Sequence, residues 1–210
     1  KKDIEVTQIQ KACDITEMGF RRVLDFIEPG VWEYEIEAEY SHEFLNNRSK
    51  GFAYQPIIAS GINSCCLHYN TNNMQCKDGE MVLMDVGSEY ANYRSDMTRT
   101  VPINGKFSKR QLQIYNAVLN VKNEANKILR PGDSIDKYHK EIAKIMESEL
   151  LDIKLIDKTD IKNQNPKNPA YKRYFMHGTS HHLGLDVHDV GNFYEDVKAG
   201  NVFTIEPGIY

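Results

Sequence analysis

Between Glu5 and Glu28 the apolar residues Val6, Ile9, Ala12, Cys13, Ile15, Met18, Phe20, Val23, Leu24 and Ile27 recur mostly at steps of three and four, which predicts an amphipathic helix. Pro29-Gly30 stops it. A second helix is predicted from about Glu33 to Asn46, carrying Tyr34, Ile36, Ala38, Tyr40 and Phe44. The runs Ile57-Ile58-Ala59 and Cys66-Leu67-His68-Tyr69 read as short strands.

The same order then recurs. Ser108 can cap a helix whose Leu112, Tyr115, Val118, Leu119, Val121, Ala125, Ile128 and Leu129 again step by three and four, up to Pro131-Gly132. Another helix follows from about Ser134 to Leu150. Pro29 and Pro131 lie 102 positions apart, so the chain reads as two copies of helix, Pro-Gly, helix and strands, an arrangement expected to put a cleft at the seam. Between the copies, Glu80–Gly87 and Tyr93–Ile103 flank a polar turn and predict a β-hairpin. Asp157–Lys172, rich in Asn, Lys and Pro, has no periodicity and is predicted to be a surface loop without chemistry.

Against this pattern three carboxylates stand out. Asp85 interrupts the apolar run Met81–Val86, where an unpartnered charge is costly. Asp96 follows eleven residues later. With the hairpin turn at Tyr90-Ala91 the two aspartates are directly opposed; with the turn at Ala91-Asn92 they are diagonal neighbours. Either register puts them on one face at roughly 5 to 8 Å, a repulsion that a cation between them would relieve. Glu206 ends the β-like run Val202–Ile205, and Pro207-Gly208 turns the chain just beyond it. The plain alternative is two solvated aspartates near a turn and a surface glutamate.

His177–Gly191 holds four of the seven histidines, and the even spacing of His177 and His181 would place both on one strand face. The competing reading is a polar loop whose histidines titrate. Asp85, Asp96, His181 and Glu206 together make an oxygen-rich set with one imidazole and no thiolate, suited to manganese, with cobalt, iron or zinc also compatible. The four are expected to converge on one point.

Composition narrows the field. With 210 residues the chain can bury one sizeable core, and its net charge of −4, without massed lysines, gives no long-range attraction for nucleic acid or anionic lipid. The four cysteines have no Cys-x-x-Cys spacing, so neither a zinc ribbon nor a thioredoxin-like site is indicated. No run is apolar enough to cross a bilayer or to form a signal-peptide core, and a reducing cytoplasm is the expected location.

The run His177-Gly178-Thr179-Ser180-His181-His182-Leu183-Gly184-Leu185-Asp186-Val187-His188-Asp189-Val190-Gly191 resembles the signature of aminopeptidase P, the Xaa-Pro aminopeptidase branch of the pita-bread metallopeptidases. So do His68-Tyr69, Asp85-Val86-Gly87, Ser95–Thr100 and Thr204–Tyr210. The resemblance implies an α+β pita-bread (creatinase/aminopeptidase) fold, two pseudo-symmetric helix-helix-strand halves around a curved, mostly antiparallel sheet. It implies two divalent metal ions, with Asp85, Asp96, His181 and Glu206 as ligands and Asp96 bridging, and Glu206 also orienting the attacking water. His68, His177 and His188 would contact the substrate and the tetrahedral intermediate. His42, His139 and His182 are assigned to structure or surface, and Arg99 is expected to pair with a carboxylate.

The implied activity is release of an N-terminal residue from a peptide with proline in second place, in a homo-oligomeric full-length enzyme. The family's further bridging glutamate would lie beyond Tyr210, and its N-terminal domain is absent, so residues 1–210 read as a catalytic domain truncated at its C-terminus and inactive alone. Prolidase shares the ligands and cleaves dipeptides only, although Ser180 favours the aminopeptidase. Methionine aminopeptidase has a different His-Gly motif, and ligand-free pita-bread binding modules have lost residues that this chain retains.

Overall fold

The computed structural model describes residues 1–192 and 195–210. Its chain divides into two compact units, Lys1–Phe107 with His182–Val190, and Ser108–His181 with Gly191–Tyr210.

In the first unit α1 (Asp3–Phe26) and α2 (Glu33–Asn46) precede β1 (Ile57–Ser60), a 3-10 helix (Gly61–Cys65), β2 (Met81–Val86), β3 (Glu89–Tyr90), β4 (Tyr93–Arg94) and β5 (Met97–Pro102). The helical stripes face the sheet as the periodicity requires: Ile15, Val23, Ile36, Tyr40 and Phe44 bury against Ile58, Val82, Met84 and Val86. The antiparallel sheet has the order β1-β2-β5. Along β2 every second residue is buried, so Val82, Met84 and Val86 enter the core while Met81, Leu83 and Asp85 share the opposite face. Asp85 therefore interrupts the apolar run in sequence without entering the core.

The register fixes the aspartates. Asp85 pairs with Thr98 in the β2–β5 ladder, and Tyr90 pairs with Tyr93 across a two-residue turn. The turn is Ala91-Asn92, with φ of 51° and 67°, as a hairpin turn with both central residues left-handed requires. Of the two registers open from the sequence, the diagonal one is formed. Beyond the ladder a knot of buried hydroxyls ties the hairpin to α1. Thr16 Oγ1 lies 2.7 Å from Ser95 Oγ, Ser88 N donates to both, and Ser88 Oγ donates to the Ala12 carbonyl.

In the second unit α3 (Lys109–Ile128) starts in a capping box: Ser108 Oγ accepts from Gln111 N, and Ser108 N donates to Gln111 Oε1. α4 (Ile135–Asp152) and α5 (Lys158–Lys162) follow, then a 3-10 turn at Ala170–Arg173. Ala117, Val121, Tyr138, Ile142, Met146 and Leu150 form its core. Segments 174–181 and 204–210 lie side by side through hydrogen bonds from Thr204 N to His181 O, Glu206 N to Thr179 O and Tyr210 N to Tyr174 O.

The repeat read in the sequence is present at atomic detail. Gly30 N donates to Cys76 O, Cys76 N to Val31 O, and Trp32 bridges to Gln75. In the other unit Gly132 N donates to Val197 O, Val197 N to Asp133 O, and Ser134 bridges to Asp196. The two left-handed glycines, Gly30 at φ 106° and Gly132 at φ 92°, occupy equivalent positions in the two turns and allow them.

Three local expectations are corrected. Cys66–Tyr69 is a turn after a 3-10 helix, with His68 at φ 57°. Segment 177–191 holds no regular strand among its described residues, so His177 and His181 share no strand face. The stretch after Asp157 contains α5, whose first amides are capped by the Asp157 carboxylate, so it is not wholly irregular.

Gly87 sets the tightest approach in the hairpin, since a Cβ there would sit 1.9 Å from the Ser95 carbonyl oxygen. Gly87→Ala is expected to destabilise the protein by at least about 1 to 3 kcal/mol, the scale of overpacking a dense interior. A lower urea midpoint at unchanged slope would show it, and wild-type stability would refute the close approach.

Candidate metal and substrate residues

The first unit brings Asp85 and Asp96 together. Tyr54 Oη lies 2.5 Å from Asp85 Oδ1 and 3.1 Å from Asp96 Oδ1, so one phenol proton sits between two carboxylates. Burial, and then the charges of Asp85 and Asp96, push the phenol well above its ordinary range. Tyr54 therefore stays a neutral donor at any physiological pH. Sequence reasoning missed Tyr54, whose neighbours Ala53 and Gln55 give it no motif.

His68 and His188 also belong to this unit, and both are exposed. His188 rides on segment 182–190, which Arg94 pins by donating from its backbone N to Gly184 O and from Nε to Leu185 O. Arg99, expected to pair with a carboxylate, instead donates to the Thr98 carbonyl at 2.7 Å.

The second unit brings His181 and Glu206 together. His181 Nε2 lies 3.0 Å from Glu206 Oε1, and Thr204 Oγ1 donates to the same oxygen at 2.8 Å while accepting from His181 N at 3.0 Å. Burial pushes the Glu206 carboxyl upward, but hydrogen bonds from His181 and Thr204 outweigh it and hold the group below the ordinary glutamate value. Glu206 is thus a carboxylate at neutral pH. The side-by-side pairing of 179–181 with 204–206 brings the two side chains together, without the strand expected at 177–181.

His177 stands edge-on between two rings, 5.0 Å from Phe175 and 5.3 Å from Tyr210 between centroids. Its Nδ1 lies 2.8 Å from the Gly178 carbonyl. A carbonyl can only accept, so Nδ1 carries a proton and Nε2 of the neutral ring is the lone-pair nitrogen. That Nε2 is buried without a hydrogen-bond partner among the described residues. His139, assigned to structure, lines the same cavity of about 780 Å³ as His177, and burial lowers its pKa so that it stays neutral at pH 7.

The donors fit divalent ions in kind: an aspartate pair sharing one phenol hydroxyl, and an imidazole beside a carboxylate, with all four cysteines free and outside both groups.

Comparison with known proteins agrees with this chemistry. The model of metallopeptidase family M24 matches residues 7–210, and the chain belongs to that family. Within it, the chain is 40% identical to the Xaa-Pro aminopeptidases of Escherichia coli and Haemophilus influenzae along its whole length, covering 48% and 49% of them. Human Xaa-Pro aminopeptidase 3 is 34% identical, with 41% covered. Among solved structures, zinc-substituted E. coli aminopeptidase P in complex with product superposes with a TM-score of 0.93 at 39% identity, and Pseudomonas aeruginosa aminopeptidase PepP with 0.95 at 36%. Each superposition covers all of this chain and 48% of the other. The α+β pita-bread fold expected from the sequence is the fold of these relatives. The chain spans about half the length of the curated relatives it matches.

Tyr54→Phe removes the proton that separates Asp85 from Asp96. In the presence of chelator the variant is expected to lose about 1.5 to 3 kcal/mol of stability, the scale of a hydrogen bond to a charged group. A saturating divalent ion should narrow the gap. Identical melting of variant and wild type under both conditions would show that the phenol does not hold the pair.

Proposed function

We propose that the full-length protein is a dinuclear metallo-aminopeptidase releasing the first residue of peptides with proline in second place. The observation that carries the reading is the aspartate pair that shares the Tyr54 hydroxyl, in a family M24 chain that also holds the His181–Glu206 pair. Asp85, Asp96, His181 and Glu206 are the proposed ligands, with manganese as the ion their oxygen-rich set suits. When bound, such ions supply Lewis-acid activation of water and of the scissile carbonyl at neutral pH.

The remaining work falls to this chain's own groups. Glu206, ionised at neutral pH, orients the attacking water or takes its proton. His177, whose Nε2 is buried without a partner among the described residues, contacts the substrate through that nitrogen. His68 and His188, both exposed on the first unit, donate to the oxygen on which charge develops and to the departing proline nitrogen. The preference for proline rests on the relatives' activity.

The test uses the full-length enzyme with an Xaa-Pro peptide, an Xaa-Ala peptide and an Xaa-Pro dipeptide. Release of the first residue from the Xaa-Pro peptide, abolished by chelator and restored by Mn2+, is expected. Cleavage of the dipeptide alone would make it a prolidase, and turnover that survives chelation would overturn the metal reading. His68→Ala should cost about 100- to 1000-fold in turnover, the scale for loss of one preorganised donor, at unchanged manganese content and melting temperature. Loss of metal that accounts for all lost activity would remove His68 from the catalytic groups.

A further inference from the structure

One fully buried ionisable group of the first unit takes no part in the reaction just described. Glu33, the first residue of α2, is 0% exposed. Its Oε1 accepts from Ser60 N and Ser60 Oγ, both at 2.7 Å. Its Oε2 accepts from Tyr69 Oη at 2.8 Å and from Met74 N at 3.0 Å. Asn63 Nδ2 lies 3.5 Å from Oε1. These donors come from the end of β1, from the 3-10 helix after it, from the residue next to His68 and from the far end of the same segment.

The fold alone does not call for a carboxylate at this position. In the repeat, Ile135 starts α4 where Glu33 starts α2, 102 positions earlier, and it is buried at 3% exposure in an otherwise matching Pro-Gly turn. A buried acid with so many donors is expensive to build unless the segment it gathers must be held.

That segment is the turn bearing His68. Cys65, Cys66, Leu67 and His68 are exposed at its apex, and His68 holds φ at 57°, a left-handed conformation that costs a non-glycine residue free energy unless its surroundings impose it. Asn72, 3% exposed, adds a second tether by accepting from Ile58 N and donating to Pro56 O.

We propose that Glu33 is a positioning residue for His68, acting through Tyr69 and the closed 60–74 segment. This rests on the catalytic assignment of His68 made above. The carboxylate converts a mobile apex into a turn of fixed conformation, so that the imidazole next to Tyr69 is presented in one place.

The test compares Tyr69→Phe and Glu33→Gln in the full-length enzyme, each alone and combined with His68→Ala. Tyr69→Phe removes one hydroxyl and leaves the Ser60 and Met74 contacts of Glu33, so it probes the link even if Glu33→Gln folds poorly. Turnover on the Xaa-Pro peptide is expected to fall about 10-fold for Tyr69→Phe and as much as about 100-fold for Glu33→Gln, the scale of a misplacement near 1 Å. KM should change little. On the His68→Ala background neither change should cost further turnover, because both act through the missing imidazole. Amide hydrogen exchange in residues 61–74 should quicken in both variants. Losses that add to that of His68→Ala, with a matching fall in melting temperature, would overturn positioning in favour of a purely structural role. Unchanged exchange and turnover in Tyr69→Phe would overturn it as well. If His68→Ala itself keeps full turnover, the catalytic assignment fails and positioning fails with it; if His68→Ala is impaired while exchange in 61–74 is undisturbed, only the role of Glu33 fails.

Discussion

Keeping two carboxylates side by side is the constraint from which the first unit follows. Asp85 on β2 and Asp96 just before β5 are like charges, and the hairpin keeps both within reach of the Tyr54 hydroxyl. The Ala91-Asn92 turn sets the register, Gly87 lets the Ser95 carbonyl approach where no side chain fits, and the Thr16-Ser88-Ser95 hydroxyls lock the hairpin to α1. Tyr54 then places a neutral donor between the charges. Alternation along β2 completes the arrangement, since the pleat that sends Val82, Met84 and Val86 into the core turns Asp85 to the other side.

The repeat supplies this scaffold twice and fills it differently. Both units open with a long amphipathic helix, a Pro-Gly turn closed by the same pair of backbone hydrogen bonds, and a second helix. The backbone solution is therefore general, and chemistry resides in the substitutions made on it. Glu33 and Ile135 show the difference most directly: at one position of one turn, one unit buries a carboxylate with several donors and the other buries a hydrocarbon. In the second unit the acid–base pair is instead built from two segments that run side by side, with Thr204 bonded to both His181 and Glu206.

How far the sequence could be read depended on the range of the interaction. Helices declare themselves through local periodicity, and the predicted bounds of α2 match those formed. Asp85 and Asp96 were placed on one face in either register, because a shift of the turn by one residue moves both strands' pairing by two and preserves the face. Cys66–Tyr69 failed as a strand because a four-residue apolar run carries no period, and left-handed His68 had no glycine to announce it. Tyr54 and Glu33 left no local trace at all. Their partners lie 27 to 42 positions away, and only the folded chain brings them together.

Free energy is spent unevenly over the molecule, and where it is spent is informative. His68 holds an unfavourable φ, and His177 buries an imidazole nitrogen with no partner among the described residues. Each costs on the order of 1 to 3 kcal/mol, a sizeable share of the 5 to 15 kcal/mol by which folded domains are typically stable. At His177 the packing fixes the ring: Phe175 and Tyr210 stand edge-on to it, and its Nδ1 lies against the Gly178 carbonyl. His139 buries its Nε2 in the same way along the same cavity, so the unmet nitrogen is a feature of this cavity rather than of one ring. For both rings the cost of ordering and desolvating the imidazole is met once, in folding, by the packing around the cavity.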